Sequence, residues 1–212
     1  MVIILAGGGS KEKAELIDKY FSEIINKNRP LLYIPFARKE PFDGCLDWFK
    51  KTYEGYGITD IKMISDSNEL RDLDLNKYSA IYVGGGNTYL LMSVLSEIDF
   101  KKKLSSYLKN GGVYYGGSAG AVILGKSVKT STSKNEPDLG EDGLDQLGGK
   151  SIACHYREDE EKAIIHLSEE EDTEIIAIPE DSALVISKDE KKVVGYSPIY
   201  FIKGSSVTRM DP

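Results

Sequence analysis

Gly112-Val113-Tyr114-Tyr115-Gly116-Gly117-Ser118-Ala119-Gly120-Ala121 is the stretch on which the reading of this chain turns. Its first part, short, β-branched and aromatic, reads as a buried strand. Ala121-Val122-Ile123-Leu124 begins a short helix. A serine between the two, flanked by small residues, matches the G-x-S-x-G nucleophile elbow. Such a turn holds Ser118 in a strained conformation, so its neighbours must be small for the chain to pass closely. The strain lifts the hydroxyl above the sheet edge, and the N–H of Ala119 at the helix start can face a developing oxyanion. A glycine-rich turn that merely packs, or that holds a phosphate, fits the same letters.

Outward from the elbow, short apolar runs alternate with amphipathic stretches. Val2–Leu5 reads as a strand ending in Gly7-Gly8-Gly9, and 11–26 as a helix with Leu16, Ile17, Tyr20, Phe21, Ile24 and Ile25 on its apolar face. Leu31–Ile34, 58–64 and 78–83 read as further strands, with helices over 46–56, 89–95 and 100–109. This alternation predicts a three-layer α/β fold, a mostly parallel sheet with helices on both faces, in one domain over residues 1–212. Ligands of such sheets sit at the carboxyl ends of the strands, where Gly7–Gly9, Gly84–Gly86 and Gly116–Gly117 all fall. Residues 130–149 form a long polar loop. Beyond it, 151–156 reads as a strand, 158–168 as an acidic helix, and 174–178, 183–187, 193–196 and 199–202 as short strands.

The 212 residues are 41% hydrophobic and 29% charged, enough for one domain with a full core. A net charge of −7, with no basic cluster interleaved with aromatics, argues against nucleic acid and anionic membrane as partners. No apolar run approaches the roughly 20 residues of a membrane span, and the apolar start is too short for a signal peptide. Cys45 and Cys154 have no metal-ligand spacing, so neither metal nor cofactor is expected. A reducing cytoplasm and a monomer or homodimer are the economical expectations.

A serine nucleophile needs a base, and the chain has two histidines, His155 and His166. His166 lies inside a charged helix and reads as a surface residue. His155 ends a strand beside a loop and is the candidate base. Cys154 rivals Ser118 as a nucleophile, but adjacent strand residues face opposite ways, which leaves Cys154 to the core. The base needs an acceptor to hold its tautomer, and the polar loop offers Glu136 and Asp138, with Glu141 and Asp142 behind them. The second oxyanion donor is expected from Gly84-Gly85-Gly86-Asn87: Gly86 beside Ala119, with Gly85 as the near alternative. Asn87 is a candidate for substrate contact.

Val83-Gly84-Gly85-Gly86-Asn87-Thr88, then Gly116-Gly117-Ser118-Ala119-Gly120-Ala121, then His155, resembles the dipeptidase E family of serine peptidases and its cyanophycinase relatives. Leu31–Ala37 and Asp181-Ser182-Ala183-Leu184 look similar too, so the likeness spans most of the chain. It implies a class I glutamine amidotransferase-like fold and a Ser-His-acid triad acting through an acyl-enzyme on small peptides, including Asp-X dipeptides. Ser133 stands at the position of the dipeptidase triad aspartate, while Glu136 matches the cyanophycinase-like spacing and is chosen as the acid on that ground. Pro137 would stiffen it. An aspartyl side chain calls for an arginine, and Arg157 is preferred over Arg38 for that role. Two other classes stay open: a binding or regulatory protein whose triad has decayed, and a glutaminase-type domain, although those use cysteine where this elbow has serine. Labelling by a fluorophosphonate separates the first from a working peptidase.

Overall fold

The computed structural model describes residues 1–133 and 140–212. In chain order the elements are β1 (Val2–Ala6), α1 (Lys11–Ile24), β2 (Leu31–Ile34), α2 (Cys45–Tyr53), β3 (Ile61–Met63), α3 (Ser67–Asp72), β4 (Ala80–Val83), α4 (Thr88–Glu97), α5 (Phe100–Lys109), β5 (Val113–Gly117) and α6 (Ala119–Val122). There follow β6 (Ser151–Cys154), α7 (Glu161–Glu170), β7 (Ile175–Ile178), β8 (Ser182–Ser187), β9 (Lys191–Gly195), β10 (Ile199–Lys203) and β11 (Ser206–Met210). A seven-stranded sheet runs in the order β3-β2-β4-β5-β1-β8-β9. It is parallel from β3 to β1, and β8 and β9 add antiparallel at the other edge. The expected α/β fold is therefore present, with the doubled-over order that places β1 and β5 side by side at the centre.

The strands 151–154 and 175–178 lie outside this sheet; they form a second one, β11-β10-β7-β6. The physical reason is the edge of β1. β8 takes it antiparallel, with Ala6 opposite both Gly117 and Ala183, so no parallel strand can add there. β6 and β7 stack instead beyond α6, which packs against both β5 and β6. Their Ile152, Cys154, Ile176 and Ile178 join the core under α6, and Ala153, Ile175 and Ala177 face Ile164, Ile165 and Leu167 of α7.

On the opposite face of the large sheet, Tyr33, Tyr82 and Tyr115 occupy matching positions of β2, β4 and β5. Their rings form a row, Tyr82 stacked on Tyr115 with centroids 4.5 Å apart. The row packs under Phe21 of α1 and Phe49 and Tyr53 of α2. Each such buried aromatic contributes about 1.5–3 kcal/mol of transfer free energy. Among the described residues no helix is long and apolar enough to cross a membrane.

Candidate active site

The carboxyl end of β1 is where the site is assembled. The Ala6 carbonyl accepts the N–H of Ser118 at 3.0 Å, and the Gly7 carbonyl accepts the N–H of His155 at 3.1 Å. Gly9 donates its N–H to the Glu180 carbonyl at 3.0 Å. Three residues from three strand ends thus hang on one short loop. Gly8 sits at φ +94°, and a Cβ there would lie 2.6 Å from Ser118 Cβ and 2.7 Å from His155 Cε1. Only glycine leaves room for the two side chains to meet.

Ser118 has φ 48° and ψ −108°, a conformation that L residues rarely adopt, at the junction of β5 and α6. Strain of this kind costs on the order of 1–3 kcal/mol and is held by the surroundings. Here the holding groups are the Ala6 carbonyl below and the hydroxyl of Tyr114, which donates to the Gly120 carbonyl at 2.6 Å. Ser118 Oγ lies 2.7 Å from His155 Nε2. His155 follows directly on β6, also in the left-handed region at φ 58°, which turns its ring back over β1. Its Nδ1 is 3.0 Å from Glu180 Oε1. The second carboxylate oxygen, Oε2, accepts from Lys13 Nζ at 2.6 Å. The Lys13 ammonium, and after it the imidazole, hold the Glu180 carboxyl below the ordinary glutamate range, so it stays ionised around neutral pH. A hydroxyl on Nε2 and a carboxylate on Nδ1 let an imidazole take a proton from the one while being steadied by the other.

Glu180 was absent from the candidates drawn from the sequence. Glu136 and Asp138, the first acids weighed there, lie outside the described residues; of the two behind them, Glu141 pairs with Lys129 at 3.4 Å and Asp142 forms a β-bridge with Ser127. The signal for Glu180 was its place: it follows β7 by two residues, at the same carboxyl edge as Ser118 and His155. Ser133, at the dipeptidase aspartate position, accepts the Thr88 N–H at 3.3 Å and donates to the Gly86 carbonyl at 3.3 Å. His166 is exposed on α7. Cys154 is buried with its thiol against the Ala6 and Ser118 carbonyls, each at 3.6 Å. Burial pushes that thiol up to about 12, so it stays protonated and cannot compete as a nucleophile.

Ser118 lies between two cavities. The first, about 270 Å³, is walled by Gly85, Gly86, Thr88 and residues 130–133. The second, about 150 Å³, opens toward α1 and α2. A Cβ on Gly85 would stand 3.3 Å from Ser118 Cβ, so the Gly84–Gly86 turn adjoins the serine as the sequence led one to expect. Ala119 is the first residue of α6, where an N–H has no acceptor within the helix. Asn87 and Arg157, the residues expected to contact substrate, both have local partners. The Asn87 side chain caps α4, accepting the Leu90 N–H at 3.1 Å, and Asn87 does not line either cavity. Arg157 is 70% exposed and its guanidinium is clasped by Asp159 at 3.0 and 3.2 Å. Two residues of sequence separation make that pairing local, and it turns the guanidinium to solvent. Arg38 lines both cavities instead, its Nε donating to the Gly85 carbonyl at 3.1 Å.

The second cavity also reaches Asp18, 4% exposed on α1. Its Oδ1 accepts from the Tyr53 hydroxyl at 2.6 Å and from the Tyr115 hydroxyl at 3.2 Å. Burial raises the carboxyl to about 6 from its ordinary 3.8, the two phenols pulling it partly back. The folded pKa lies above the unfolded one, so the stability contribution is fully present below about pH 4 and is lost as pH rises through about 6. At 1.36 kcal/mol per unit the ionised form costs about 3 kcal/mol at pH 7. Asp18→Asn keeps an acceptor for the phenols and cannot ionise. Urea unfolding should therefore show the variant gaining about 3 kcal/mol on the wild type between pH 4 and pH 7. A stability gap that stays flat over that range would contradict the buried acid.

A serine hydroxyl on an imidazole braced by a carboxylate, at the carboxyl edge of a class I glutamine amidotransferase-like sheet, defines a serine hydrolase. The chain belongs to peptidase family S51, whose model matches residues 2–194, and this makes it a serine peptidase. It is 27% identical over 192 residues to peptidase E of Nostoc sp. PCC 7120, covering 82% of this chain and 76% of that one. It is 24% identical over 225 aligned positions to cyanophycinase of Geminocystis herdmanii, covering 97% and 82%. A solved peptidase from an acI-B1 Actinobacterium superposes with a TM-score of 0.75 at 20% identity, covering 99% of this chain and 93% of that one.

Proposed function

We propose that the protein hydrolyses dipeptides or short peptides through an acyl-enzyme on Ser118, with His155 as general base and Glu180 as the acid that orients it. The observation that carries this reading is the Ser118–His155–Glu180 chain of contacts at 2.7 and 3.0 Å. His155 takes the Ser118 proton as Oγ attacks the scissile carbonyl, then returns it to the leaving amine. Water repeats the sequence on the ester and frees the acid. The developing oxyanion faces the N–H of Ala119 and that of Gly86, with Gly85 as the near alternative. Cavities of this size suit the side chains and termini of short peptides.

Fluorophosphonate labelling tests the chemistry. One adduct should form, on Ser118, and Ser118→Ala should abolish it. An intact protein that takes no label would favour a scaffold that binds without turning over.

Arg38, rather than Arg157, is the cation proposed to meet a substrate carboxylate, because it stands on both sides of Ser118. The net charge of −7 opposes anionic substrates, so acidic first residues should be only weakly favoured. We expect Asp-Ala to be cleaved within about tenfold of Asn-Ala, the repulsion of the acidic chain offsetting part of the ion contact, and Arg38→Ala to erase that margin while Arg157→Ala leaves it. Retention of the margin in Arg38→Ala would assign the carboxylate to another group.

A further inference from the structure

We propose that the cavity between α1 and the Ser118 turn is a cation subsite, in which Asp18 receives a primary ammonium of the substrate. The inference rests on the peptidase reading of Ser118 and says what one half of that site selects. Asp18 is buried at 4% exposure, yet it borders a cavity that Ser118 and Glu180 also line. Both phenol hydrogen bonds end on one oxygen, Oδ1. Among the described residues no ion pair is made with Asp18, and the remaining oxygen receives no hydrogen bond.

The other charges on the wall do not supply the missing partner. Arg38 is held by the Gly85 carbonyl, and Glu180 is engaged by Lys13 and His155. Lys11 stands at the exposed rim, seven residues before Asp18 on α1, and acts on it only through space. If Asp18 served only to tie Tyr53 to Tyr115, a neutral amide would accept both hydroxyls as well and would bring no buried charge. A carboxylate kept there, next to a reacting serine, calls for a cation delivered from outside. The walls leave room for one. Tyr82, Tyr115 and Trp48 line the cavity beside Asp18, and none of them brings a competing positive charge. About 150 Å³ leaves room for an ammonium with a few methylenes.

The ammonium has two sources, the amino terminus of the peptide or a basic side chain, and four alanine conjugates separate them. Hexanoyl-Ala carries neither amine, norleucyl-Ala only the α-amine, 6-aminohexanoyl-Ala only the terminal one, and Lys-Ala both. Binding is measured by calorimetry on full-length Ser118→Ala protein, so that no turnover is needed. At least one amine should tighten binding by about 10–100-fold over hexanoyl-Ala, the range for a hydrogen bond to a charged group. That gain should fall to within about threefold in Ser118→Ala/Asp18→Asn. The amine that carries the gain names the source. No gain for either amine in Ser118→Ala overturns the proposal without recourse to the second variant, and a gain that survives Asp18→Asn overturns it too. Wild-type protein that binds these amines through Asp18 but hydrolyses neither norleucyl-Ala nor Lys-Ala would keep the subsite and sink the peptidase reading instead.

Discussion

Ser118→Ala should lower kcat for a dipeptide by about 10⁶, to the level left by binding and oxyanion donors alone. The expectation comes from position. Ser118 Oγ is the hydroxyl on His155 Nε2, at 2.7 Å, and the strained turn at φ 48° presents it to both cavities. Alanine removes the attacking atom and little else, so folding and peptide binding should persist. Because serine and base act as one unit, His155→Ala should cost about as much, and the double variant scarcely more. His166→Ala should change turnover by less than about twofold, since that residue is exposed on α7 and outside both cavities. Turnover that survives within tenfold in Ser118→Ala would remove the assignment. Steady-state kinetics with one cleavable dipeptide, alongside calorimetric binding of the same peptide, reads both halves.

The parts of the site that were legible in the sequence are those written in local pattern or in scarcity. The elbow is local: a strand, small residues and a serine within ten positions. His155 emerged because there are only two histidines, and one of them sits in a charged helix. That β1 to β5 run parallel followed from the spacing of apolar runs; their order in the sheet did not. Glu180 was hidden for the opposite reasons. It is one of 34 acidic residues, and it reaches His155 across 25 positions of chain by the pairing of β6 with β7. Nothing in its neighbours distinguishes it except the strand end before it. Which arginine faces the cavities is not written locally either: Asp159, two residues from Arg157, captures its guanidinium, while Arg38 lines both cavities. Asp18 gave no signal at all. A carboxylate on an amphipathic helix reads as solvated until Tyr53 and Tyr115, 35 and 97 residues away, are seen to donate to it.

Glu180→Gln should lower kcat by about 10⁴ while leaving the dissociation constant for a dipeptide within about threefold. The acid breaks no bond. Its oxygen on Nδ1 fixes the tautomer whose bare Nε2 can accept the Ser118 proton, and its charge stabilises the imidazolium that results. A glutamine that turns its amide toward Nδ1 donates to it and so places the ring proton on Nε2, where it blocks the base. Replacement of the corresponding aspartate by asparagine in a serine protease lowers kcat by about 10⁴ through that tautomer, and aspartate removal in subtilisin costs about 3 × 10⁴. The loss should be smaller than for Ser118→Ala, and both variants should fold, because Gly9 holds the backbone of residue 180 and not its side chain. Lys13→Met adds a directional check. The Lys13 ammonium is the first cause of the low Glu180 pKa, so without it the carboxyl should titrate higher, a shift that NMR titration of the Glu180 carboxyl reads. Glu136→Gln completes the comparison. With Glu180 on Nδ1, that change should cost less than about tenfold. A loss in Glu136→Gln as deep as in Glu180→Gln would transfer the orienting role to Glu136, and a shallow loss in Glu180→Gln would leave His155 without the brace proposed here.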